Sequence, residues 1–205
     1  MATIVKGKRA LGPNDHGRAM TLEEFLAAEA REGYKYELVD GRLYVSPEAN
    51  LPENRVEVWL FRKLDRYSSE HLEIVNYVTT KARVFVPGRP GITNPEPDLA
   101  LYRDFPLHLP FAAARWQDVF PLLVVEVLAG DDSDKDLVRN VELYLQVPAI
   151  KEYWIIDIRE DPERPTLIVH RRQGNRWRVI TVGFGGTYKT PRLLPGFELV
   201  VDPRK

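Results

Sequence analysis

The chain has 205 residues, of which 44% are hydrophobic and 29% charged, and this composition suits one domain with a substantial core. It contains no cysteine, which excludes a disulfide framework, a cysteine nucleophile and a thiolate zinc site. The net charge of −1 disfavours sequence-blind coating of DNA but leaves room for a local basic groove. No apolar run is long enough for a secretion signal or a membrane span, so we expect no membrane contact and a cytoplasmic location.

The first segment of the chain reads as an arm followed by a single domain. Residues 1–20 contain three glycines and the run Pro13-Asn14-Asp15, and they predict a flexible N-terminal arm, with one domain over residues 21–205. Thr21 with Glu24 three positions later is the pattern of a capping box, and it predicts a helix that runs to about Arg31.

The next segment alternates between strand and helix patterns. Two alternating runs joined by Asp40-Gly41 predict a β-hairpin. Apolar residues at helical spacing predict a helix over residues 52–69, and the β-branched and aromatic residues of 73–86 predict one or two strands. Asp98 opens a short apolar strand, and residues 105–120 form a connection with one helical turn.

The second half of the chain predicts a strand–helix–strand unit. Residues 122–128 are a near-continuous apolar run, typical of a strand buried on both faces. A helix from Ser133 to Gln146 and a second buried strand over residues 152–158 complete a parallel crossover. Later segments predict a hairpin over residues 166–182 and a last short strand, so the fold class is α/β (α+β) with a mixed sheet.

Three acids are the candidate functional residues. Glu126 interrupts the buried strand, where an ionised carboxylate is costly unless it touches solvent, pairs with an arginine or binds a metal. Asp98, after Pro97, is either a turn aspartate or a carboxylate at the mouth of a neighbouring strand. If the two strands are neighbours, Asp98 and Glu126 converge on one point, where a magnesium ion would bind. Glu37 is either a third ligand of this ion or an exposed strand residue.

Several motifs together resemble one protein family. Their order and spacing are similar to those of the Uma-two family of proposed endonucleases, and the resemblance covers about residues 21–201. The motifs are Tyr36-Glu37-Leu38-Val39-Asp40-Gly41, Pro97-Asp98-Leu99, Val124-Val125-Glu126-Val127-Leu128, Asp136-Leu137, Glu142-Leu143-Tyr144, Glu152-Tyr153-Trp154-Ile155-Ile156-Asp157 and Leu194-Pro195-Gly196-Phe197.

The resemblance implies both a fold and a chemistry. That family is similar in fold to the restriction-endonuclease-like, or PD-(D/E)XK, nucleases, which implies a mixed β-sheet flanked by helices, with added β-hairpins. It implies that Asp98 and Glu126 hold magnesium or manganese, that the main-chain carbonyl of Val127 completes the inner shell, and that Glu37 supports it. The implied reaction is hydrolysis of DNA phosphodiester bonds.

The chain departs from the superfamily pattern at the catalytic lysine. Leu128 stands where the pattern has a lysine, and the helix position to which related families move it carries Asn140. Asparagine can orient a water or a phosphate by hydrogen bonds but brings no positive charge. Lys135 and Lys81 are candidates for the missing cation, although most lysines are solvated surface residues.

Three functions therefore stay open. The first is a magnesium-dependent endonuclease with Glu37, Asp98, Glu126 and Asn140 as catalytic residues and DNA as partner. The second is a nuclease fold that binds nucleic acid or a protein without cutting. The third is a docking protein that uses aromatic residues such as Trp116, and a homodimer is expected in each case.

Overall fold

The computed structural model describes residues 10–130 and 135–205. The helices are α1 (Leu22–Leu26), α2 (Leu51–Glu70) and α3 (Asn140–Leu145). The strands are β1 (Tyr34–Val39), β2 (Arg42–Pro47), β3 (Tyr77–Thr79), β4 (Leu99–Tyr102), β5 (Leu123–Leu128), β6 (Glu152–Asp157), β7 (Thr166–Gln173), β8 (Arg176–Val182), β9 (Thr187–Lys189) and β10 (Glu198–Val200).

A six-stranded mixed sheet in the order β3-β4-β5-β6-β7-β8 forms the centre of the fold. Its neighbours pair antiparallel except β5 and β6, which are parallel. The connection between these two strands contains a π-helical turn, Lys135–Arg139, that continues into α3. The predicted mixed sheet and parallel crossover are confirmed, whereas Ser133, the predicted start of the helix, lies outside the described residues.

Helices cover both faces of this sheet. The apolar side of α2 packs on one face, where Leu60 and Leu64 belong to one core cluster with buried side chains of β4, β5 and β6. Leu143 and Tyr144 of α3 pack on the other face. Because both faces are covered, β5 is apolar at every position except Glu126, which lies on the α3 side next to Val124 and must be accommodated inside the protein.

The predicted hairpin is present as a separate two-stranded sheet of β1 and β2. Its turn has φ values of 51° at Asp40 and 71° at Gly41, the left-handed backbone that an Asp-Gly hairpin turn requires. The loop before β4 holds this turn: Asn94 exchanges hydrogen bonds with Leu38, and a Cβ on Gly91 would lie 2.6 Å from the Asp40 carbonyl carbon. Only glycine therefore fits at that crossing.

Two segments differ from the sequence prediction near the N-terminus. The predicted flexible arm, where it is described, packs on the domain: Leu11 is buried and pairs with Ala30. This pairing also explains why α1 ends at Leu26 and not at Arg31, because the backbone N–H of Arg31 donates to the Leu11 carbonyl oxygen. Backbone pairing with a distant segment has replaced the last helical turn.

The segment 73–86 also differs, since only Tyr77–Thr79 forms a strand of the sheet. Further on, the N–H groups of Val84 and Val86 donate to residues 95 and 93 of the following loop, outside any named strand. In the described part of the chain, no helix combines the length and the apolar character that a membrane span needs.

Candidate active site

Strand register brings Asp98 and Glu126 together. Leu99 of β4 lies opposite Val125 of β5, so one step further along the same antiparallel register Asp98 lies opposite Glu126. Side chains directly opposite each other point to the same face, with Cβ atoms about 4.5–5.5 Å apart. The Val127 N–H donates to Asp98 Oδ2 at 2.7 Å, which fixes this carboxylate at the end of β5.

Glu126 is a buried acid without a cationic partner. It is 1% exposed, and its Oε1 accepts hydrogen bonds from Asn140 Nδ2 at 3.0 Å and from the Tyr144 hydroxyl at 3.1 Å. Among the described residues it forms no ion pair, and its Oε2 accepts no hydrogen bond. Burial, followed by the nearby Asp136, raises the pKa of Glu126 well above its usual value. Lys135 and Lys35 oppose this rise without forming an ion pair with Glu126 in the described part of the chain, so a cation bound directly to the carboxyl group would stabilise its ionised form.

Glu37 differs from Glu126, because both of its carboxylate oxygens have partners and two of these partners are cationic. Arg139 Nη2 lies 2.8 Å from Oε2, while Oε1 accepts from the Glu96 N–H at 3.0 Å and lies 3.6 Å from Lys135 Nζ. Burial alone would raise the pKa of Glu37, but Lys135 and Arg139 outweigh it and lower the pKa to about 2. Glu37 is thus an ionised anchor for two cations beside the site.

Lys35 is a site residue that sequence reasoning missed. Its ammonium group forms an ion pair with Asp98 Oδ1, and its side chain is 25% exposed. Burial alone would lower the pKa of Lys35, but Asp98 and Glu126 raise it above the ordinary value. The sequence held only a partial signal: Lys35 and Glu37 are two apart in β1, and alternate strand residues point to the same face.

Lys135, one of the two candidates for the missing cation, is not a solvated surface lysine. Its side chain is 16% exposed, and the π-helical turn directs it toward Glu37. π-Helical turns occur frequently at functional sites because they change which side chains face inward. Lys81, the other candidate cation, is exposed on the rim of the larger groove described below.

Two further acids also lie at the site. Asp136 is buried and accepts a hydrogen bond from Asn140 Nδ2 at 3.0 Å, and its burial raises its pKa to about 6. Glu57 of α2 has its pKa raised to about 7 by burial and by nearby Asp98. Asn140, which is fully buried, donates to Asp136 and Glu126 together and so holds two of these carboxyl groups in place.

The acids open into two adjoining cavities. The larger, of about 750 Å³, runs between the hairpin and the start of α2, and the smaller, of about 140 Å³, reaches Glu126 and the end of β5. Both are lined by Lys35, Glu57 and Asp98. Over residues 10–130 and 135–205, no three acids or histidines already form a metal-ligand set. The site therefore offers two adjacent carboxylates, one of them paired with a lysine.

The mixed sheet with helices on both faces is an architecture that a known structure shares. The chain is similar to a crystal structure described as "a putative nuclease belonging to DUF820 from Anabaena variabilis ATCC 29413". The two share 17% sequence identity with a TM-score of 0.63, over 89% of this chain and 95% of that one. At this identity the similarity establishes the fold.

The family is established by sequence. The sequence model of the Uma2 family, described as "Putative restriction endonuclease", matches residues 22–202, and the chain belongs to this family. The resemblance seen in the sequence motifs is thereby confirmed. A search of curated proteins found no match.

Proposed function

We propose that this protein is a Mg²⁺- or Mn²⁺-dependent endonuclease that hydrolyses phosphodiester bonds in DNA. The observation that carries the proposal is the environment of Glu126, a buried carboxyl group beside Asp98 that has only neutral hydrogen-bond partners. Membership of the Uma2 family, whose description is a restriction endonuclease, supports the reaction class.

Asp98, Glu126 and the main-chain carbonyl of Val127 would hold the metal ion. The N–H and C=O of one strand residue point to the same side, so the Val127 carbonyl faces the β4 side, as its N–H does when it donates to Asp98. Carboxylate and carbonyl oxygens are the donors that Mg²⁺ prefers, so the set fits chemically. Bound there, the ion would polarise a phosphate oxygen and lower the pKa of its water.

Lys35 and Lys135 are proposed to supply the positive charge that the superfamily obtains from its motif lysine. Both reach the acids from positions outside the usual motif, one from β1 and one from the π-helical turn. Lysine ammonium groups there would bind the phosphate and stabilise negative charge that develops on it during cleavage. Lys35 would exchange its bond to Asp98 for one to the phosphate when a cation neutralises Asp98.

Asn140 and Glu37 are proposed as positioning residues. The Asn140 amide nitrogen donates to Glu126 and Asp136, which supports a role in orienting these carboxyl groups. Glu37 holds Lys135 and Arg139 through its two oxygens. Substitution of Asn140 or Glu37 should therefore weaken the site indirectly, through the side chains that these residues hold in place.

The second candidate function is nucleic-acid or protein binding without cleavage. The observation that favours it is the Lys35–Asp98 ion pair, which satisfies one of the two acids without any metal. A docking role for Trp116 has less support, because its ring packs against Tyr102 and Phe105. A homodimer is proposed as well, and light scattering on the purified protein tests it.

Metal titration followed by thermal unfolding tests the proposed function. Mg²⁺ and Mn²⁺ are added to the wild type, to Asp98→Asn and Glu126→Gln, and to Asp65→Asn, an exposed acid on α2 that serves as control. Ligand at 100 times its dissociation constant raises stability by about 2.7 kcal/mol. We expect this rise in the wild type and the control alone, together with metal-dependent cleavage of plasmid DNA. Metal binding without cleavage would favour the binding function, and no response in any protein would contradict the metal site.

A further inference from the structure

The outward face of α2 carries a row of arginines that the site does not use. Arg55, Arg62 and Arg66 are all exposed, and their spacings of seven and four residues place them on one face of the helix. None of them forms an ion pair with an acid in the part of the chain that the structure describes. Unpaired guanidinium groups in a row leave a concentrated positive charge on a protein whose net charge is −1.

The C-terminal end of the chain extends this row into a groove. Trp59 Nε1 donates to the Lys205 carbonyl oxygen at 3.2 Å and so holds the last residues against α2. A cavity of about 500 Å³ lies between them. The cationic residues that line it are Arg55, Arg62, Lys63, Arg66, Arg204 and Lys205. Of these, Arg204 is engaged by Asp202 at 3.0 Å. We call this surface the α2 basic groove.

The α2 basic groove continues into the candidate active site. Asn54, at the start of α2, lines both this groove and the larger site cavity, so the two surfaces adjoin at this residue. Among the described residues, no aspartate or glutamate side chain lines the basic groove. A polyanion that lies along α2 would therefore meet the carboxylate site at the N-terminal end of the helix.

We infer that the α2 basic groove binds the phosphate backbone of duplex DNA and guides it into the carboxylate site. The identity of the polyanion rests on the proposed function, while the groove itself rests on the arginine row and its continuity with the site. Guanidinium groups bind phosphate in a bidentate manner, which explains a row of arginine on a solvated helix face. From Arg55 to Arg66 the row spans about 16 Å along the helix axis, or about five nucleotide steps of one DNA strand.

Metal-free DNA binding tests the inference separately from cleavage. Anisotropy of a fluorescein-labelled 30-base-pair duplex is measured in EDTA for the wild type and for Arg62→Gln/Arg66→Gln. The matched control is Arg176→Gln/Arg178→Gln, which removes the same charge from exposed positions on β8, an edge strand of the sheet. Thermal unfolding first checks that all three proteins are folded.

We expect the α2 double variant to bind the duplex about tenfold or more weakly at 0.1 M salt, with a salt-dependence slope reduced by about 0.9 for each arginine lost. The β8 control should bind within about twofold of the wild type, since screening limits the effect of distant charges. Equal losses in both double variants would show a non-specific charge effect and overturn the inference. Unchanged binding in the α2 variant, or no binding by the wild type, would overturn it as well.

The same proteins separate the two proposals. If the α2 variant loses DNA binding while the wild type cuts no substrate with Mg²⁺ or Mn²⁺, the basic groove stands and the proposed endonuclease fails. If the wild type cuts DNA and the α2 variant binds and cuts equally well, the endonuclease stands and the basic groove fails.

Discussion

Two buried glutamates on adjacent parallel strands should respond in opposite ways to the same substitution. Glu126 of β5 and Glu152 of β6 are both buried, and Glu→Gln changes each by one atom while it removes the charge. We expect Glu152→Gln to destabilise the fold without affecting metal binding. We expect Glu126→Gln to leave stability nearly unchanged and to abolish the response to metal.

The magnitude for Glu152 follows from its four hydrogen bonds. Its Oε1 accepts from Arg171 Nε and Thr190 Oγ1 at 2.7 Å each, and its Oε2 accepts from Trp154 Nε1 and the Tyr188 hydroxyl at 2.8 and 2.9 Å. Glutamine would present an NH₂ group to two of these donors and leave Arg171 without its counterion. We expect Glu152→Gln to lower the unfolding free energy by about 3 kcal/mol, the lower end of the range for a broken buried ion pair. The loss is limited because Arg171 is partly solvated and the hydroxyl groups of Thr190 and Tyr188 can rotate.

The substitution Glu126→Gln should change the unfolding free energy less than Glu152→Gln. Its two hydrogen bonds both end on Oε1, and a glutamine can keep that oxygen as the acceptor while its NH₂ group faces the smaller cavity. The charge that disappears is one that burial already disfavours. The expected change in unfolding free energy is within about 1 kcal/mol and of either sign, since neutral hydrogen bonds contribute about that much.

Thermal unfolding in EDTA and in Mg²⁺ measures both effects. In a domain of this size about 3 kcal/mol corresponds to a fall of about 6–12 °C in Tm for Glu152→Gln, with the metal-induced rise preserved. Glu126→Gln should keep the metal-free Tm within a few degrees and show no rise. A large metal-free loss in Glu126→Gln would refute the argument that its hydrogen bonds are retained. A preserved metal response would refute its role as a ligand.

Three further outcomes follow from other contacts in the structure. Gly91→Ala should lower the unfolding free energy by about 1–3 kcal/mol in urea, because its Cβ would overlap the Asp40 backbone, whereas Gly183→Ala, at an open position, should not. Lys35→Met should tighten Mg²⁺ binding about fivefold, as measured by calorimetry, and should slow cleavage. The affinity rises because the metal no longer competes with the Lys35–Asp98 ion pair, which is worth about 1 kcal/mol. Unchanged affinity would contradict that competition. The pKa of Glu37 is lowered to about 2 in the folded protein, from about 4.3 in the unfolded chain. Ionised Glu37 therefore stabilises the fold fully at pH values above about 4.3, and this stabilisation is lost as the pH falls toward 2. The stability gap between wild type and Glu37→Gln should therefore narrow between pH 6 and pH 3, and a constant gap would contradict the ion pairs.

Local chemistry explains which parts of the fold the sequence could predict. The Asp40-Gly41 hairpin and the buried run of β5 depend on turn geometry and hydrophobic pattern, which are properties of neighbouring residues. The end of α1 and the segment 73–86 depend on backbone pairing with distant loops, which no local pattern contains. Tertiary pairing overrides propensity in both places.

The candidate site divides in the same way. Asp98 and Glu126 could be predicted as neighbours because each is a carboxylate at an apolar strand, and the two strands could be adjacent in the sheet. Lys35 could not be singled out, because a lysine on a short hairpin strand is ordinary until the hairpin is docked over β4. Lys135 could be named as a candidate cation, but its direction toward Glu37 could not be predicted, because it depends on a π-helical turn in a segment whose sequence predicts a regular helix.

The site is divided between two separately hydrogen-bonded sheets, and this has a consequence for local opening. Among the described strands, β1 and β2 form a sheet apart from the six-stranded sheet, so we expect Lys35 and Glu37 to open separately from Asp98 and Glu126. Such units can open with different free energies in native-state hydrogen exchange. Opening of the hairpin would remove Lys35 and Glu37 from the site and leave Asp98 and Glu126 in place on β4 and β5. The amides of β1 should therefore exchange before those of β5, and a bound polyanion that bridges both units should slow the exchange of β1 selectively.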